Sequence, residues 1–123
     1  METTDSPRLR LGSLHNWANL LQGKGDLPEA CMLYEKVVAI APDFAVGYFN
    51  LGAALKAMGL LPESIVQYRK AIALQPEYAE AYQNLGVVLL NKVRLEIVFW
   101  LSSRPLVYMK LSGHRKDSYY ERS

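Results

Sequence analysis

The chain has 123 residues, half of them apolar and 21% charged, with a formal net charge of +2. That is the size and composition of one globular domain, and so small a charge gives no reason to expect nucleic acid as a partner. The single cysteine, Cys31, excludes an intrachain disulfide, and no grouping of Cys and His suggests a metal site or a cofactor.

The first ten residues read as an unstructured arm. "METTDSPRLRLGSLH" lacks the apolar run of a signal peptide, and no stretch offers the roughly 20 uninterrupted apolar residues of a membrane span. A cytoplasmic or nuclear location is the expectation, with no membrane partner. From Leu14 to Leu21 the apolar spacing is helical, with a break at Gly25. A second helix is expected from Pro28 to Ala41, stopped by Pro42.

The same grammar then returns. "AVGYFNLGAALKAMG" carries apolar residues at 48, 51, 55 and 58, a helical period. Gly59 ends it, because glycine readily takes the left-handed conformation beyond a helix. Pro62 suits the first turn of the next helix, where its missing N–H is not needed. Ile65, Tyr68, Ile72 and Leu74 follow, and Pro76 marks the next boundary. Residues 79–92 begin the pattern a third time.

The distance between copies is 34 residues. Aligning 11–44 with 45–78 gives ten identities, among them Asn16/Asn50, Gly25/Gly59, Pro28/Pro62, Tyr34/Tyr68 and Pro42/Pro76. Aligning 45–58 with 79–92 gives six more, including Tyr48/Tyr82, Asn50/Asn84 and Gly52/Gly86. A helix pair this short cannot cover its own apolar face, whereas stacked neighbours can. The expected fold is therefore an all-α solenoid of antiparallel helix pairs, about two and a half units long. Gly52 and Gly86 lie inside helices, where glycine costs about 1 kcal/mol against alanine. A close helix crossing would explain both, and Ala18 supplies the small residue in the first copy.

These features together resemble the tetratricopeptide repeat (TPR) family. The likeness rests on the 34-residue period and the aromatic-x-x-Leu-Gly-x-x-Leu first helix. It rests also on the glycine before the second helix, the central tyrosine and the closing proline, and covers residues 11–92. Leu14, Trp17 and Ser64 depart mildly from the pattern. After Lys92 the pattern ends. Residues 93–123 carry six Lys/Arg against three Asp/Glu and an apolar run, Ile97–Leu101. Two readings stand: a cap in which that run covers the last helix, followed by a polar, unstructured end, or a repeat array cut off by unrelated sequence. Left open, the same run would drive self-association.

Nothing in the chain reads as catalytic. His15 and His114 are isolated. Cys31 lies among packing positions, and "GKGD" at 23–26 lacks the spacing and the Ser/Thr of a phosphate loop. Glu29 and Glu63 open helices, where a carboxylate suits the positive end of the dipole. "HRK" with Tyr119 and Tyr120 reads as a solvated end.

The best functional candidates are Asn16, Asn50 and Asn84, one per copy at the same place. Each precedes a residue expected to pack (Trp17, Leu51, Leu85), so each sits near the edge of the buried face. An amide offers one acceptor oxygen and two donor hydrogens, and a row of amides can hold an extended peptide by its main chain. His15, Asn19, Gln22, Phe49, Ala53, Lys56, Gln83, Val87 and Leu90 are expected to face the same groove. The alternative is that each asparagine only bonds a neighbouring helix. The Asn-Leu-Gly units resemble those of O-linked N-acetylglucosamine transferases, and that likeness implies an asparagine ladder of Asn16, Asn50 and Asn84 on the inner, concave surface. It does not imply a glycosyltransferase domain, which no part of this sequence resembles. A second family use, the carboxylate clamp for chaperone tails, would draw on Asn19 and Asn50. Its cationic places hold His15, Glu80 and Asn84, and Glu80 would repel a carboxylate. The expectation is a non-catalytic module for a protein or extended peptide; the alternative is the substrate-recruiting segment of a larger glycosyltransferase, and a third reading is a nonfunctional truncation product.

Overall fold

The computed structural model describes the backbone of residues 7–103 and the side chains from residue 10 onward. Five helices follow in order: α1 (Pro7–Lys24), α2 (Leu27–Ile40), α3 (Ala45–Ala57), α4 (Leu61–Leu74) and α5 (Ala79–Ser102). The chain divides into two units, residues 1–89 and 90–123.

In the first unit the punctuation read from the sequence does its work. Gly25 and Gly59 take φ of 87° and 80°. Each closes its helix with the same pair of bonds: Gly25 N–H to Gln22 O and Asp26 N–H to Leu21 O, then Gly59 N–H to Lys56 O and Leu60 N–H to Leu55 O. This double closure satisfies carbonyls that a helix end otherwise leaves bare. Pro28 and Pro62 stand in the first turns of α2 and α4. Residues 7–10, expected to belong to an unstructured arm, are helical: α1 begins at Pro7, a residue suited to a first turn, and residues 1–6 lie outside the described residues.

α1 packs on α2, α2 on α3 and α3 on α4, and α1 also touches α3. One core joins Ala18, Leu21, Ala30, Leu33, Tyr34, Leu51, Ala54 and Leu55. A second joins Leu61, Ile65, Tyr68 and Val88, with Phe49 and Leu85 against it. Tyr34 and Tyr68 are fully buried. A Cβ added at Gly52 would stand 3.0 Å from Tyr68 Cε1, so the close crossing expected there is present. At Gly86 no atom of the described residues lies within 4 Å, so the close crossing is not seen there; Ser102 stands where the next tyrosine would be, and it is still part of α5.

Trp17 departs from expectation. Its place in the repeat predicts packing like that of Leu51, yet it is 55% exposed against 3% for Leu51. Leu51 lies between the helices before and after its own, and α1 has no described helix before it.

Of the second unit, residues 90–103 are described. The first helix of the third copy was expected to end near Lys92, but α5 continues to Ser102. The places of Gly25/Gly59 and Pro28/Pro62 are taken by Val93 and Glu96, so neither the left-handed stop nor the proline start is present. Lys92 and Glu96 pair at 2.9 Å along the helix. The run Ile97–Leu101 belongs to α5 itself and is exposed, Phe99 by 74%. From residue 104 onward the chain, including the polar end with "HRK", Tyr119 and Tyr120, lies outside the described residues.

Candidate peptide-binding face

The asparagines of the repeat are best understood from the tyrosines beneath them. Tyr34 and Tyr68 lie in the cores, and burial pushes the Tyr34 phenol up to about 12, with Cys31 adding to the rise. A buried hydroxyl needs a partner. Tyr34 Oη is 2.5 Å from Asn19 Oδ1 and 2.7 Å from Gln22 Oε1, and its one proton serves these two carbonyl oxygens in turn. In the second copy the corresponding places hold Ala53, which has no polar side chain, and Lys56, which has no acceptor. Tyr68 Oη instead accepts from Asn84 Nδ2 of the following helix at 3.3 Å. Burial raises the Tyr68 phenol, and the Asn84 bond partly offsets the rise.

Asn50, the counterpart of Asn84, finds Tyr34 already engaged. Its Nδ2 donates to His15 Nε2 at 2.8 Å, which requires a neutral His15 carrying its proton on Nδ1. Burial lowers the His15 pKa and favours this form. The His15 ring meets Phe44 edge-on at 5.3 Å and Tyr34 at 6.1 Å. One period later, Phe49 stacks on Tyr78 at 5.0 Å and tilts against Tyr68 at 5.8 Å. The two aromatic triads are the same device, used once with an imidazole and once with a phenyl ring.

The residues expected to face a groove are thus placed as follows. Asn16, Asn19 and Gln83 are exposed, while His15, Phe49, Lys56, Asn50 and Asn84 are partly buried. Two of the three periodic amides carry a bond inside the protein, which is the structural alternative considered for them. Each keeps its oxygen and one N–H. In the sequence Tyr34 and Tyr68 stand out only as repeat positions. The 16-residue Tyr-to-Asn spacing corresponds to a bond at 68 and 84 but not at 34 and 50, so it does not by itself signal the bonding. Among the described residues no group of His, Cys, Asp and Glu is arranged to hold a metal, and no helix is long and apolar enough to cross a membrane.

Family signatures described as "Tetratricopeptide repeat" and "TPR repeat" match residues 10–41 and 55–93, together more than half of the chain. The chain belongs to the tetratricopeptide repeat family. No curated protein matches it. Among solved structures, the TPR module is similar to the TPR2B domain of yeast Sti1, solved as a pHsp70 complex, with a TM-score of 0.66 and 24% identity over 93% of this chain and 90% of that one. It is similar to the Sgt2 TPR domain of Aspergillus fumigatus, with a TM-score of 0.66 and 22% identity over 70% of this chain, and spans 57% of that domain. A mutant O-GlcNAc transferase from Thermobaculum terrenum is 29% identical with a TM-score of 0.65; the TPR module aligns over 70% of its own length and 16% of the transferase.

Proposed function

We propose that the TPR module is a non-catalytic protein-binding unit that holds an extended peptide against the face carrying Asn16, Asn50 and Asn84. The observation that carries this reading is unspent hydrogen-bonding capacity at a fixed period. Asn16 is exposed, and Asn50 and Asn84 each retain an acceptor oxygen and one N–H after their internal bonds. Likeness to a TPR domain solved with a pHsp70 partner supports a peptide as the ligand class. The internal bonds to His15 and Tyr68 fix the two amides in place, so little freedom is lost when a peptide docks. Lys56 and Gln83 belong to the same proposed face.

The test is a peptide-array screen with the full chain, followed by titration of the best binder against Asn16→Ala/Asn50→Ala/Asn84→Ala. Binding should weaken about tenfold or more, since each lost hydrogen bond contributes about 1 kcal/mol, with helicity retained. Unchanged affinity refutes the amide clamp. The 29% likeness to a transferase favours a second reading, in which the module is the recruiting segment of a larger glycosyltransferase. A transcript continuing the period into a catalytic domain would decide for it. Self-association through the exposed Ile97–Leu101 run belongs to the same proposal. Sedimentation should show a concentration-dependent mass that Phe99→Glu abolishes, and a monomer at every concentration rejects it.

A further inference from the structure

A second candidate site lies away from the asparagines, between α2 and α4. Both helices pack on α3, and they leave a cleft of about 410 Å³ above it, within the size range of ligand pockets. The floor is apolar: Leu51 and Leu55 from α3, with Val38 and Ala39 from α2. The walls carry Glu35 on one side and Glu63, Gln67 and Lys70 on the other.

The charges of the walls are not balanced. Lys70 Nζ sits 5.7 Å above the ring of Tyr48, whose hydroxyl donates to Pro42 O at 3.0 Å. The one ammonium is thus drawn to the aromatic ring. Glu35 and Glu63 have no cationic partner within ion-pair distance among the described residues. Glu63 repeats Glu29 of the first copy, but Glu35 becomes Arg69 one period on, so Glu35 is the carboxylate that the repeat does not supply.

An apolar floor beneath two unpaired carboxylates calls for a side chain with an aliphatic stem and a cationic head. We infer that this cleft takes an arginine of a partner peptide, its stem on Leu51 and Leu55 and its guanidinium between Glu35 and Glu63. Lysine has the same charge but a single compact ammonium. The planar guanidinium spreads five N–H donors and can address two acceptors from different directions. An apolar residue beside the arginine would cover Val38 and Ala39. This site is independent of the asparagine face, and the two together would read two separate parts of a partner.

The probe is the peptide acetyl-Ala-Leu-Arg-Leu-Ala-amide, titrated into the isotope-labelled full chain while backbone amide shifts are followed. Shifts are expected at residues 35–39 and 63–70. The same peptide with citrulline for arginine, uncharged and nearly isosteric, should bind about tenfold or more weaker, the scale of a lost charge-assisted contact. Glu35→Gln/Glu63→Gln should weaken the arginine peptide equally. Both glutamates are exposed, so that variant should keep its melting curve. Asn16→Ala/Asn50→Ala/Asn84→Ala should bind this peptide normally, which separates failure here from failure of the asparagine clamp. Equal affinity for the citrulline peptide, indifference to the double variant, shifts confined to other faces, or no shifts at all would each overturn the assignment.

Discussion

Ser64 is the one described side chain whose buried polar atom has no partner: its Oγ is enclosed and unbonded. The residue is fully buried in α4; the Leu60 carbonyl takes the Ser64 backbone N–H at 3.0 Å and has a second lone pair to offer, yet the hydroxyl makes no bond to it. One period earlier, Ala30 occupies the same place, also fully buried, so a methyl group fits this setting. Ser64→Ala removes an unsatisfied hydroxyl, worth about 1–3 kcal/mol, and gains roughly 0.5 kcal/mol of helix propensity. The loss of one small atom leaves a negligible cavity. The net expectation is about 2 kcal/mol of added stability, which raises Tm by on the order of 10 °C in a domain of this size. Thermal melts followed by circular dichroism read the shift. Urea titration should move the midpoint upward with an unchanged slope, the sign of a native-state effect. A neutral or destabilised Ser64→Ala would show that the hydroxyl is satisfied, and the reasoning about α4 packing would fail. The converse change, Ala30→Ser, should destabilise by a similar amount.

Gly52→Ala should destabilise by about 1–3 kcal/mol, because its methyl would press on the Tyr68 ring, whereas Gly86→Ala, with no atom of the described residues within 4 Å, should stabilise by up to about 1 kcal/mol; equal effects in urea titrations would refute the crossing argument. His15 is held neutral, with its pKa lowered by burial. The unfolded chain therefore binds more protons below pH 6.5, and stability is complete above that value and falls as the pH drops towards the folded-state pKa. The acid loss should be smaller in His15→Phe, which copies Phe49, and an identical pH profile for the two proteins would remove the Asn50–His15 bond from the account.

The period, the helix pairs and their stops were legible because each is a local matter. Gly25 and Gly59 are free to take positive φ wherever they occur, Pro28 and Pro62 prefer a first turn in any context, and the spacing of Leu51 and Leu55 marks one helical face. The absence of a stop at Val93 and Glu96 was written there too, since a β-branched residue resists positive φ and glutamate favours a helix. The asparagine bonding was not legible in the same way. Asn50 and Asn84 share their neighbours in sequence, yet one bonds His15 and the other Tyr68, because the occupancy of each tyrosine hydroxyl depends on Asn19 and Gln22 in one copy and on Ala53 and Lys56 in the other. Trp17 shows the same limit: its place in the repeat is a buried one, but burial needs a helix on each side. The cleft between α2 and α4 joins residues from three helices, and its unpaired glutamates meet only after the helices have stacked. Propensity and period act through bonds along the chain, so one sequence was enough to determine them. Which polar groups find partners depends on atoms brought together through space, and only the tertiary structure decided that.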